Sequence, residues 1–146
     1  MAVQELYEKD FFEWTQRNAK LLSRGRLDAA DIPHIAEELA DLGRRDRREV
    51  ESYLRRLMVH LLKWQAQPGK RTVSWQVSID DSRAQIEGIF EQSPSLKRFA
   101  GKSVADIYAR ARRQASIQTR MPLSVFPSEC PYSFAQILNA DFLPQN

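Results

Sequence analysis

Residues 32–67 read IPHIAEELADLGRRDRREVESYLRRLMVHLLKWQAQ, and their periodicity decides the fold. Ile32, Ile35, Leu39 and Leu42 recur at steps of three and four, and Val50, Tyr53, Leu57, Leu61 and Trp64 resume the same phase. That is the period of an amphipathic helix. Asp31 stands ready to start it, and Pro33 falls in the first turn, where a missing N–H costs nothing. One unbroken helix of these 36 residues would run about 54 Å. A compact chain of this length is only about 38 Å across. Gly43 can end a helix, and Asp46, which interrupts the apolar stripe, makes a capping-box spacing with Glu49. The reading is two helices meeting at a break or kink over Gly43–Asp46. Its rival is one protruding helix shared with a second subunit.

The flanking sequence is helical too. Asp10 and Glu13 cap a helix over Phe11–Leu22, with Tyr7, Phe11, Trp14 and Asn18 on one face. Pro68-Gly69 ends the long segment, and Ser74 opens a helix carrying Trp75, Ile79, Ser82, Ile86, Ile89 and Phe90 on one side. Ser95–Phe99 reads as a short helical turn. Ser103 then caps a last long helix ending near Met121, with Val104, Ile107, Tyr108, Ala111 and Ala115 inward. Residues 122–146 hold four prolines and one short helix, Tyr132–Leu138, yet are rich in apolar side chains that a free tail would expose at a cost in solubility. The expectation is an all-α single domain over residues 1–146. A helical bundle of four to five helices spans 10–121, and a Pro-rich C-terminal tail, 122–146, wraps on it. Trp14, Leu39, Leu57, Leu61, Trp64, Ile79, Ile86 and Tyr108 are the expected core.

Composition narrows the function classes. The chain is 42% hydrophobic and 28% charged, which is too apolar for a disordered chain. One cysteine excludes a disulfide framework and any cysteine-rich zinc site, and two histidines are a thin ligand supply. No apolar run approaches the roughly 18 residues of a membrane span. Met1–Asp10 lacks the pattern of a signal peptide. A cytoplasmic protein with no membrane partner and no cofactor is expected.

The formal charge of +3 hides blocks of opposite sign: residues 1–43 carry −4, residues 44–73 carry +6 and residues 92–128 carry +6. Two chemistries follow from these blocks. His34, Glu37, Glu38 and Asp41 share one helical side, and a break at Gly43 would let Glu38 and Asp41 meet His60 in a metal or acid–base site. Ordinary ion pairing, Asp41 with Arg45, is the simpler account. Arg44, Arg48 and Arg55 share a face within the patch Arg44–Arg56, and Arg110, Arg112 and Arg113 lie in a second, Arg110–Arg120; together they could track phosphates. No nucleic-acid motif accompanies them, and Asp46, Glu49 and Glu51 dilute the first patch, so nucleic acid is the less favoured partner. Cys130 precedes the tail helix, whose N-terminus would favour its thiolate; burial as a small hydrophobe is the alternative. Trp14, Trp64 and Trp75 with Phe11, Tyr53 and Phe90 could line a ligand pocket but at these spacings read as core.

Several stretches occur together and in order: FFEWT at 11–15, IAEELADLG at 35–43 followed by Arg44–Glu51, HLLKW at 60–64, SPSL at 93–96, FPSECPY at 126–132 and FLP at 142–144. In these the chain resembles the bacterial "domain of unknown function 29" family over nearly its whole length. The resemblance implies a small all-helical bacterial domain with no assigned activity and no catalytic residues to transfer. The leading reading is a non-enzymatic interaction or assembly module, binding a protein partner or a second copy of itself. Whether the chain is an enzyme is left open. The alternatives are an enzyme using Glu38, Asp41 and His60, and a nucleic-acid-binding protein using the two arginine patches.

Overall fold

A computed structural model describes residues 1–145. It is all-α: α1 Val3–Lys9, α2 Phe11–Ser23, α3 Ile32–Ala66, α4 Val73–Gln92, α5 Ser95–Thr119 and α6 Phe134–Leu138, with single 3-10 turns at Pro68–Lys70 and Leu123–Val125. Among the described residues there is no strand. The chain divides into two compact units, residues 1–46 and residues 47 onward, and each is described by itself.

The first unit comprises α1, α2 and the beginning of α3. Asp10 forms the joint between α1 and α2. Its backbone N–H donates to Leu6 at 2.8 Å, closing α1, while its carboxylate accepts the Glu13 N–H at 3.1 Å, capping α2. Leu6 and Trp14 are buried here. After α2 the chain reverses through Gly25, whose φ of +69° is the left-handed conformation that glycine adopts without a Cβ clash. Asp31 then leads into α3.

The second unit packs the rest of α3 with α4 and α5, and the tail closes over them. Leu54, Leu57, Met58 and Leu61 of α3 are fully buried with Ile86 of α4 and Ala111 and Ala115 of α5. The alanines are small enough for helices to approach closely. The tail adds Phe126, Tyr132 and Ile137 to the same core. Its backbone is held as firmly as its side chains. Arg112 donates to the carbonyls of Phe126 and Leu123, Arg83 to that of Ile137, and the Tyr108 hydroxyl to that of Pro127 at 2.6 Å. The wrapped tail expected from its apolar content is therefore present.

Three expectations are corrected. The chain does not break at Gly43: residues 43–46 are helical and α3 is one element. A glycine costs a helix interior only about 1 kcal/mol, which the helix formers around Gly43 outweigh. Within residues 10–121 four helices form, α2 to α5, inside the expected four to five, and α6 is the short helix read in the tail; only α1, ahead of them, was not foreseen. Ser95–Phe99 and the segment from Ser103 are one helix, in which the Ser103 hydroxyl bonds the Phe99 carbonyl four residues back instead of capping. Leu39, expected in the core, is 64% exposed. Trp64 is only half-buried, packed against the core edge, whereas Trp14, Leu57, Leu61, Ile79, Ile86 and Tyr108 are buried as expected.

Candidate functional site

The densest polar cluster lies in the first unit, around Asp31. Its carboxylate is almost completely buried and accepts the Trp14 indole N–H at 2.9 Å. The same oxygen lies 2.7 Å from His34 Nδ1. The Asp31 backbone N–H donates to the Asn18 side chain at 2.8 Å, and the Asn18 amide donates in turn to the Trp14 carbonyl. Burial alone would raise the Asp31 carboxyl, but the indole N–H and His34 outweigh it and hold the group below its ordinary range. The His34 ring stacks on Tyr7 of α1, and the Tyr7 hydroxyl donates to Glu38 at 2.5 Å. That hydrogen bond, with burial and nearby acids adding to it, pushes the Tyr7 phenol up to about 12. Sequence reasoning placed His34 and Glu38 on one helical side but missed Asp31, Trp14 and Tyr7 as their partners. Trp14, Asn18 and Asp31 are each foreseeable as single residues; only the turn between α2 and α3 brings them together.

The three residues named for metal or acid–base chemistry divide between the units. Glu38 accepts the Tyr7 hydroxyl at one of its two oxygens, Oε1, and Asp41 pairs with Arg44 rather than with Arg45. His60, in the second unit, is half-buried and its Nδ1 lies 2.8 Å from the Arg56 carbonyl, so that nitrogen carries the proton. Burial pushes the His60 imidazole down, outweighing the hydrogen bond to the Arg56 carbonyl, which acts the other way; the charges of Lys63 and Arg56 add smaller downward pushes. The turn at Gly43 that would have folded the chain back is absent from α3. Among the described residues, no three of His, Cys, Asp and Glu are grouped so as to hold a metal.

On α3 of the first unit, away from the Tyr7 contacts, runs an apolar band. Ile32, Ala36, Leu39, Ala40, Leu42 and Gly43 are all exposed. At 100° per residue they cover one continuous side, while His34, Glu37, Glu38 and Asp41 fall outside it. No charged residue interrupts the band between Ile32 and Gly43.

The arginines have separate fates. Arg112 is spent on the tail carbonyls and Arg44 on Asp41. Arg47 lies over the Phe99 ring, 3.9 Å from its centre. Arg113 is exposed on α5. Arg48 and Arg55 of α3 and Arg110 of α5 instead line one depression.

The cysteine and the aromatics are distributed as follows. Cys130 lies ahead of α6, half-buried, its thiol 3.3 Å from the Tyr132 carbonyl. Burial pushes the thiol up, against the activation expected from the helix N-terminus. Trp14 and Phe11 belong to the first unit. Trp64, Trp75, Tyr53 and Phe90 belong to the second, where Lys63 lies over Trp75 and Arg71 over Trp64. An aromatic pocket common to all six is not formed within either unit.

These helices, the polar joint at Asp31 and the wrapped tail define an all-helical protein. The chain belongs to the family described as Domain of unknown function DUF29, whose model matches residues 6–143. No curated protein and no solved structure matches the chain significantly. No helix of the described residues is long and apolar enough to cross a membrane.

Proposed function

We propose that the protein is a non-enzymatic assembly module that pairs with a second copy of itself through the first half of α3, in the cytoplasm of bacteria. The observation that carries this is the apolar band, with Leu39 at 64% and Leu42 at 53% exposed. Contiguous apolar surface on one helix side is the mark of a helix-in-groove or helix–helix contact. Ala36, Ala40 and Gly43 let a second backbone come close. Charge order selects the partner and its direction. Along this helix the acids Glu37, Glu38 and Asp41 come first, and Arg44 and Arg45 follow. Glu38 and Arg45, seven residues apart, lie on the same edge of the band. A second copy running antiparallel sets Arg45 beside the partner's Glu38 twice, by two-fold symmetry. A parallel copy sets like charge against like. The reading needs no cofactor. The cytoplasmic setting rests on the single cysteine and the bacterial character of the resemblance.

Light scattering on the full chain tests it, from about 1 μM to about 100 μM. The expected mass at the upper end is twice the 16.9 kDa of one chain. Leu39→Glu and Leu42→Glu, both exposed positions, should leave monomers with unchanged helical circular dichroism. Arg45→Glu should weaken association and Arg45→Lys should retain it. A monomer throughout, or a dimer indifferent to both band substitutions, overturns the reading.

A further inference from the structure

In the second unit, α3 and α5 flank a depression of about 190 Å³ lined by Arg48, Glu51, Ser52, Arg55, Ile107 and Arg110. Arg48, Ser52 and Arg55 recur at four- and three-residue steps, so one side of α3 presents all three. Arg110 stands three residues beyond Ile107, whose burial fixes that turn of α5. The charge balance is lopsided: three guanidiniums face one carboxylate, Glu51. Nor is Glu51 within ion-pair reach of any of them, since the ion pairs among the described residues are Arg17–Glu13, Arg26–Asp28, His34–Asp31 and Arg44–Asp41. Other arginines of this unit are spent on the protein, Arg83 and Arg112 on tail carbonyls. Arg48, Arg55 and Arg110 have no such acceptor among the described residues. Three like charges gathered beside a single carboxylate leave a net excess of positive charge, which a bound anion neutralises.

We propose that this depression binds a phosphate group. The planar fork of a guanidinium matches two phosphate oxygens at once, and three forks approaching from two helices surround a tetrahedral anion rather than a flat carboxylate. The Ser52 hydroxyl adds a neutral donor. The size agrees: pockets for drug-sized ligands run from about 300 to 1,000 Å³, and this one is smaller, suited to a charged headgroup with the rest of its carrier in solvent. A phosphate reaches such a site either on a small molecule or as part of a nucleic-acid backbone, and the chemistry of recognition is shared.

Titration calorimetry on the full chain separates the sources, with inorganic pyrophosphate in one arm and a short mixed-sequence single-stranded DNA in the other. Pyrophosphate should bind saturably and with salt dependence. Arg55→Gln and Arg110→Gln should each weaken it about tenfold or more. Arg113→Gln, on α5 but outside the depression, should change it little. Thermal melting of each variant checks that it folds; Arg48→Gln, at an exposed position, repeats the test should Arg55→Gln melt early. DNA binding that pyrophosphate displaces and the same substitutions abolish assigns the phosphate to a nucleic-acid backbone. Pyrophosphate binding without DNA binding assigns it to a small phosphorylated molecule. No binding of either up to about 10 mM, or equal weakening by Arg113→Gln, overturns the proposal.

Discussion

The ring of Tyr7 lies flat on the ring of His34, centroids 3.9 Å apart and planes 12° from parallel. The contact joins α1 to the first turn of α3, and the Tyr7 hydroxyl extends it one helical turn further to Glu38. The phenol keeps its proton because the proton is what it donates. Replacing Glu38 by Gln removes the charge that favours the protonated phenol, so Tyr7 should ionise nearer the ordinary 10.0 than its present value of about 12. A raised folded-state value means stability that is intact below about pH 10 and lost as pH rises towards about 12. Phenolate absorbance, recorded for wild type, Glu38→Gln and Tyr7→Phe, identifies the Tyr7 step by difference. An unchanged titration in Glu38→Gln would refute the link.

Asp31 should make the first unit acid-sensitive. Its carboxyl is held below the ordinary carboxylate range, so the unfolded chain takes up a proton first as pH falls. The contribution is present above about pH 4, the unfolded value, and is lost as pH drops through the lower folded value. Trp14 reports it, since its indole N–H rests on this carboxylate. Asp31→Ala leaves a buried indole donor unpaired and should cost about 1–3 kcal/mol at neutral pH. Its residual stability should also lose part of the acid dependence of the wild type. Equal acid dependence in both proteins, followed by tryptophan fluorescence, would remove Asp31 from this role.

The tail should stabilise the second unit through packing and through its carbonyls. Phe126 is 2% exposed, and Phe126→Ala should cost about 3–5 kcal/mol. Arg112→Leu keeps the bulk of the side chain but removes the donors to the Phe126 and Leu123 carbonyls, and should lower the melting temperature as well. A variant ending at Met121 should melt lower still or lose solubility. Calorimetric melting checks all three, and unchanged melting after truncation would show the tail to be dispensable.

How far the sequence reached can be judged helix by helix. Leu57, Leu61, Ile107, Ala111 and Ala115 were legible because a 3.6-residue period marks an inward face wherever neighbours cover it. Leu39 carries the same signal and is exposed, because periodicity identifies the apolar side of a helix and not what lies against it. α1 was missed for lack of apolar spacing: seven residues bury only Leu6. Arg110 and Arg112 are two residues apart and indistinguishable by composition. One faces a depression and the other grips the tail, a difference set by which turn of α5 meets the returning chain. The same contrast supplies a stability test. Leu57→Ala and Leu61→Ala should cost about 2–5 kcal/mol each. Leu39→Ala, measured in dilute protein where self-association is absent, should fall within about 0.5 kcal/mol of wild type.

Gly43 offers the sharpest test of the helix that decided the fold. It lies inside α3, and a Cβ built there meets nothing within 4 Å. Its backbone is in the ordinary right-handed region, since Gly25 is the glycine of positive φ. Alanine at position 43 therefore gains helix propensity with no steric penalty and should stabilise the chain by about 1 kcal/mol. Were Gly43 ending one helix and admitting another, it would occupy the left-handed conformation common at helix ends, and alanine would destabilise it instead. The two cases differ in sign, so denaturant unfolding of Gly43→Ala at low protein concentration decides between them. A side chain the size of Ala36 and Ala40 should also leave association through the band intact. A larger one, as in Gly43→Leu, should hold the paired helices apart and reduce association, while the helix itself persists by circular dichroism.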